Sequence, residues 1–210
     1  MVTFYELGAL GRLGNQLFQY AALRSLGLSR GYDVKIPDPT HRNWHGQSCL
    51  LNNFNIESEL LEEGDVEKIR HLYREPDYMN FDKNFFNIPD DTNLSGFFQS
   101  IYYFEQFEAQ IKRELTPSSS YLRGAALEIE NLRVASAGAK IVSLHLRRGD
   151  NTDNTDPGQV ALNNFYGVAG NSKLAMDSPY GRYIESALEI FHGENVRFLV
   201  FSGGSRTGNN

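Results

Sequence analysis

Apolar and polar positions along this 210-residue chain switch repeatedly between a period of two and a period near three and a half. Val2 to Leu7 is short and rich in strand formers, which predicts a strand. From Leu17 to Leu26 the spacing becomes helical: Phe18, Ala22 and Leu26 fall on one face, with Ala21 beside them. Gly27 and Gly31 punctuate the end of that helix, and Tyr32 to Asp38 predicts a second strand stopped at Pro37. The opening is therefore β-loop-α-β, the unit of doubly wound sheets.

Residues 38–55 form a polar loop dotted with aromatics such as Trp44. Leu60, Leu61, Ile69 and Leu72 predict a helix over 57–74. Asn93 to Ser100 runs from a strand into a helix carrying Ile101, Phe104, Phe107, Ile111 and Leu115. Thr116 to Ser120 is the best turn signal, followed by a helix over 121–134. Lys140 to Asp150 opens as an apolar strand and ends in concentrated charge. A long polar loop, 151–177, precedes a helix with Ile184, Ala187, Leu188 and Phe191, then a strand from Val196 to Phe201. Alternating strands and helices predict an α/β fold with a mainly parallel sheet. The two strand-to-loop starts, at 2 and 141, suggest two such units facing each other.

Composition narrows the function. A net charge of -6 argues against nucleic acid or an anionic membrane as the main partner. The single cysteine, Cys49, excludes an internal disulfide and reads as an inert, semi-buried thiol. No run approaches the roughly 20 apolar residues of a membrane helix, and no secretory leader is visible. A soluble, cytoplasmic protein is the expectation, with a membrane location only if an anchor precedes this sequence. No metal site is expected. Asp150, Asp153 and Asp156 are spaced by three, which is not the alternation of a calcium loop, and no Asp-x-Asp pair occurs. His41 and His45 stand four apart without a carboxylate partner.

Two stretches carry candidate chemistry. Gly8, Gly11 and Gly14 lie between the first strand and its helix, where backbone amides cradle phosphate. The spacing is G-x-x-G-x-x-G rather than the dinucleotide fingerprint, although Asp38 follows the second strand as that fingerprint requires. A dinucleotide, a nucleoside triphosphate and a nucleotide-sugar all remain open on the loop alone, and the absence of Gly-Lys-Ser/Thr excludes a Walker loop. Arg12 adds a cation, while Asn15 and Gln16 are amides that suit sugar hydroxyls and phosphate oxygens alike. The second stretch is Ile141 to Asp150. Strand alternation puts Ser143, His145 and Arg147 on one face and Leu144, Leu146 and Arg148 on the other. Arg147 and His145 then project together at the strand's carboxyl end, where open α/β sheets bind ligands. A guanidinium there matches phosphate oxygens bidentately. The competing reading is an ion-pair network in which Asp150 neutralises an arginine.

"GRLGNQLFQYAALRSLG" resembles the N-terminal glycine loop of α-1,2-fucosyltransferases, "VSLHLRRGD" is similar to the family's His-x-Arg-Arg-x-Asp motif, and "LSGFFQSIYYFE" is similar to a stretch that lies between them. The resemblance implies a GT-B fold, two Rossmann-like domains facing across a cleft. Residues 1–138 would be the acceptor-side domain and 139–210 the start of an incomplete donor domain. It implies inverting transfer of fucose from GDP-β-L-fucose to a glycan hydroxyl, typically position 2 of galactose, without metal or other cofactor. Arg147 would bind the β-phosphate, and Asn15 and the Gly14 backbone would approach the donor. Gly11, Arg12, Gln16, His145, Arg148 and Asp150 would contact or brace the substrates. Asp153 and Asp156 lie in the loop where a general base could sit. Ser202-Gly203-Gly204 departs from the family's Ser-Asp-Asp, and the later nucleotide-binding motifs are absent. A non-catalytic relative that holds GDP or glycan is the alternative, and an NAD-dependent enzyme leaves the charged strand without a role.

Overall fold

The computed structural model describes residues 1–41, 43–44, 47–146 and 179–202 of the chain. The chain divides into two compact units, residues 1–123 and 124–210.

The first unit is built on five short strands, all parallel: β1 (Val2–Thr3), β2 (Val34–Ile36), β5 (Glu59–Leu60), β6 (His71–Arg74) and β7 (Thr92–Ser95). Their order is β5-β2-β1-β7-β6. A separate antiparallel hairpin pairs β3 (Asn43–Trp44) with β4 (Gln47–Ser48). β1 lies at the centre of the sheet between β2 and β7, so the segments that leave the carboxyl ends of β1 and β7 stand side by side. Helix α1 (Leu13–Arg30) crosses between β1 and β2 and buries Tyr20, Ala22, Leu23 and Leu26. These pack with Val2, Phe4 and Ile36, while Phe85, Phe98 and Tyr103 form an edge-on aromatic cluster with centroids 4.8–5.6 Å apart. Each such side chain contributes about 1.5–3 kcal/mol on burial.

Two carboxylates tie outlying segments to this core. Glu114, fully buried at the end of α2 (Glu108–Glu114), accepts hydrogen bonds from Arg24 Nε at 3.0 Å and from the Tyr20 hydroxyl at 2.5 Å. Asp65, 2% exposed, accepts from the Glu62 amide at 3.0 Å and from Lys68 and Lys35 at 2.9 Å each. The Glu62 amide and the two lysines hold its carboxyl well below the usual carboxylate range.

Four expectations about elements are corrected. The first strand is only two residues long, because Phe4 and Leu7 are buried by an immediate turn: Leu7 N donates to Phe4 O and Ala9 N to Glu6 O. Helix α1 starts at Leu13, four residues early, and Gly27 lies inside it. No helix spans 57–74; that stretch holds β5, a 3₁₀ turn over Glu63–Lys68 and β6. Strand pairing with β2 and β7, plus the buried Asp65, overrides the helical spacing, and Leu60 and Leu72 stand half-exposed on edge strands. The helix expected from Ile101 is two 3₁₀ turns, Ile101–Tyr103 and Glu105–Phe107, before α2. The chain bends there so that Tyr103 enters the core while Phe104 packs on Phe18, 5.8 Å between centroids.

Helix α3 (Ser119–Ala135) leads into the second unit, where β8 (Lys140–Leu146) and β9 (Val196–Ser202) pair in parallel over seven residues. Helix α4 (Pro179–Ile190) precedes β9 and buries Ala187. Phe191 packs edge-on against Phe198 at 5.9 Å. These elements agree with the strand-helix-strand pattern expected after residue 140. The described architecture is α/β with parallel sheets, of Rossmann-like character. Among the described residues no helix is long and apolar enough to cross a membrane.

Candidate functional site

The candidate site of the first unit lies where the segments after β1 and β7 meet. Four hydrogen bonds tie the loop after β1 (residues 4–12) and the helix α1 that follows it to β7 and the turn after β7 (residues 96–100). Tyr5 N donates to Asn93 Oδ1 at 2.9 Å, and Ser95 Oγ to Glu6 Oε2 at 2.7 Å. Gln19 Nε2 donates to Gly96 O at 3.0 Å, and Gln99 Nε2 to Asn15 Oδ1 at 2.5 Å. Three of these pairs join residues more than 80 positions apart.

The local sequence explains why the loops can meet. Gly11 has φ +83, and a Cβ there would stand 2.4 Å from Asn15 Nδ2. Only glycine lets Asn15 fold over the loop. Gly96 has φ +151, and its Cβ would fall 2.5 Å from Glu75 Cβ. Glu75, itself buried, caps the turn by accepting from the amides of Phe97 at 2.7 Å and Phe98 at 2.9 Å. Phe98 adopts φ +51 while its ring fills the core, a conformation that costs a non-glycine residue on the order of 1 kcal/mol and is held by this cap. Burial, with the charges of Glu75 and Asp82 adding to it, pushes the nearby Tyr103 phenol up to about 12.

The expected site residues separate into two kinds. Asn15 is half-buried beside the turn after β7, with Oδ1 engaged by Gln99, so its Nδ2 hydrogens are the donors it offers. Gly14 lies in the first turn of α1, exposed, with nothing within 4 Å of the place a Cβ would take. Arg12 is the exposed N-cap residue of α1, makes no side-chain cap, and is followed by no acid in the first turn. Uncapped amides at a helix start favour an anion or a hydroxyl-rich ligand. Gln16 differs: it is fully buried, with Nε2 donating to Gly11 O at 3.3 Å and Oε1 accepting from Leu50 N at 2.9 Å. It supports the loop from below.

In the second unit, β8 alternates as its sequence requires. Leu144 and Leu146 are buried, whereas Ser143 and His145 are exposed on the opposite face. Arg147, Arg148 and Asp150 lie outside the described residues, as do Asp153, Asp156 and the loop 151–177. Among the described residues, no group of three His, Cys, Asp or Glu stands together as a metal site.

Gln19, Glu75 and Gln99 are site-supporting residues that the sequence reading passed over. Gln99 sits within the quoted "LSGFFQSIYYFE" stretch, so its signal was present there. Gln19 and Glu75 act through burial and carry no local signature.

A family model matches residues 2–206, described as Glycosyl transferase family 11. The chain belongs to this family. It is 28% identical over 204 residues to galactoside alpha-(1,2)-fucosyltransferase 1 of Mus musculus, covering 93% of this chain and 48% of the relative. It is 28% identical over 205 residues to galactoside alpha-(1,2)-fucosyltransferase 2 of Sus scrofa, covering 95% of this chain and 54% of the relative. The chain thus spans about half the length of these curated relatives. No solved structure matches it.

Proposed function

We propose that this chain transfers L-fucose from GDP-β-L-fucose to a glycan acceptor, at position 2 of a galactose, with inversion at the fucose carbon. The observation that carries the reading is the meeting of two motif stretches beside the carboxyl ends of β1 and β7, where Gln99 of "GFFQS" holds Asn15 of the glycine loop. Family membership over 2–206 and the names of the relatives support it.

In this reading the protein is a GT-B enzyme. Residues 1–138 form the acceptor-side domain, and 139–210 begin the donor domain. The acceptor oxygen bonds to C1 of fucose as the bond from C1 to the diphosphate breaks, and the electron pair leaves on the β-phosphate of GDP. The acceptor proton passes to a base, for which Asp153 and Asp156 are candidates. Negative charge grows on the diphosphate during this step, so a fixed guanidinium at Arg147 acts most strongly where charge develops. His145 precedes it by two residues in the sequence, and Arg148 and Asp150 follow as further candidates to contact or brace the substrates. Asn15 Nδ2, the first-turn amides at Gly14, Gly11 and Arg12 orient the donor's phosphate and fucose. No step of this scheme calls for a metal or other cofactor.

Incubating the chain with GDP-fucose and lactose tests the reading. It predicts a fucosylated trisaccharide by mass spectrometry, with an α-linked fucose in its NMR coupling. A folded protein that gives neither product nor released GDP under these conditions contradicts it.

A further inference from the structure

A second concave feature of the first unit is a groove of about 430 Å³, lined among the described residues by Phe81, Lys83, Phe86, Tyr102, Glu105 and Gln106. Its size falls within the about 300–1,000 Å³ of small-molecule sites. The base of the groove is tied into the aromatic core. Phe81 packs edge-on against buried Tyr103 at 4.9 Å and tilts against Tyr102 at 5.8 Å. The neighbouring Asp82 is clamped from two sides: Tyr73 hydroxyl donates to Asp82 Oδ2 at 2.7 Å, and Asp82 N donates to the Tyr103 hydroxyl at 3.1 Å. Tyr102 itself is 57% exposed, so an aromatic surface faces solvent on a preorganised platform.

We infer that this groove is a saccharide subsite that holds a neutral sugar of the glycan acceptor. The inference rests on the fucosyltransferase reading for the identity of that glycan. Its chemistry selects the occupant. A sugar presents a face of weakly positive C–H groups, which suits the negative face of an aromatic ring, and an equator of hydroxyls that both donate and accept. Lys83 supplies donors, Glu105 acceptors and Gln106 both, all at exposed positions on the rim. One cation beside one anion leaves no net charge to attract a phosphate, and a purely apolar guest would strip water from three polar groups without replacing it. Location agrees. Tyr102 is three residues beyond Gln99, which contacts Asn15, and three residues of chain reach no more than roughly 10 Å. A sugar in the groove would extend an acceptor whose reacting end lies at the glycine loop.

The experiment is saturation-transfer NMR of lactose and N-acetyllactosamine with the full chain, for the wild type, Tyr102→Ala and Glu105→Gln, alongside calorimetric titration with GDP-fucose. Tyr102 is exposed, so its truncation spares the core; unchanged thermal melting verifies this. The expected result is saccharide binding weakened about tenfold in Tyr102→Ala and less in Glu105→Gln, with GDP-fucose affinity unchanged. Saccharide affinity equal in wild type and Tyr102→Ala, or no saccharide binding by folded wild type, overturns the subsite. Tyr102-dependent saccharide binding without any GDP-fucose binding upholds the groove and sinks the donor reading instead.

Discussion

The loops that follow β1 and β8 open two βαβ units in the same chain, yet they are built from opposite materials. After β1 stand glycines and amides, held from beneath by buried Gln16 and Gln19, while buried Glu75 caps the neighbouring turn after β7. At the end of β8 stands exposed His145, followed in the sequence by Arg147, Arg148 and Asp150. The first site is defined by shape and by hydrogen bonds that orient a ligand without charging it. The second concentrates charge. The proposed transfer, which would release a diphosphate from a neutral sugar, calls on both, and under that proposal damage at the two places reads out differently. Faults at the first should alter stability and binding together, whereas faults at the second should alter turnover and leave stability alone.

The sharpest break of this comparison is Arg147→Ala. Turnover should fall about a hundredfold, on the order of 3 kcal/mol, with thermal melting unchanged; Arg147→Lys should recover part of it. Kinetics and a melting curve on the same preparations check both halves. Next comes Glu75→Ala, which leaves the Phe97 and Phe98 amides without an acceptor. Each buried orphan costs about 1–3 kcal/mol, so urea unfolding should show a loss of roughly 2 kcal/mol or more, accompanied by weaker donor binding. An Ala at position 75 that bound donor normally would show that the turn after β7 plays no part in the site.

Gly11→Ala should cost about 1–2 kcal/mol from its positive φ alone, and its methyl group would collide with Asn15. Gly14→Ala separates the two effects. Nothing crowds that position, so helix stability should rise by about 0.5–1 kcal/mol while donor binding weakens through intrusion on the open face. Unchanged donor affinity in this variant would remove the Gly14 backbone from the site. The smallest effect concerns pH. Asp65 has a folded-state value below its unfolded one, so its contribution is complete above about pH 4 and is lost as pH falls below that. Asp65→Asn should therefore lose stability near neutrality and flatten the acid side of a stability–pH curve measured by urea unfolding.

Much of the fold was legible because its long segments are locally consistent. The apolar stripe of α1 and the seven-residue β8 could be read from spacing alone, and the burial of Leu144 and Leu146 against exposed His145 follows strand parity. The largest failure has a non-local cause. Strands of two residues, such as β1 and β5, carry no periodicity, and their existence is decided by partners far away in sequence. The helix expected over 57–74 was lost to that pairing and to Asp65, whose role depends on Lys35 thirty residues upstream. The site shows the same division. Gly11 and Asn15 announced themselves within one loop, whereas Glu75 and Gln19 are recognisable only when the turn after β7 is brought against them.

The central claim is that the glycine loop and the arginine-bearing strand end act on one donor. Calorimetric titration of the chain with GDP-fucose, in wild type, Gly14→Ala and Arg147→Ala, tests it most directly, with NAD as the control ligand. The account predicts binding of GDP-fucose but not NAD, weakened by either substitution in proteins that melt no lower than wild type. Equal affinity in all three, or no binding by a folded wild-type chain, would contradict it.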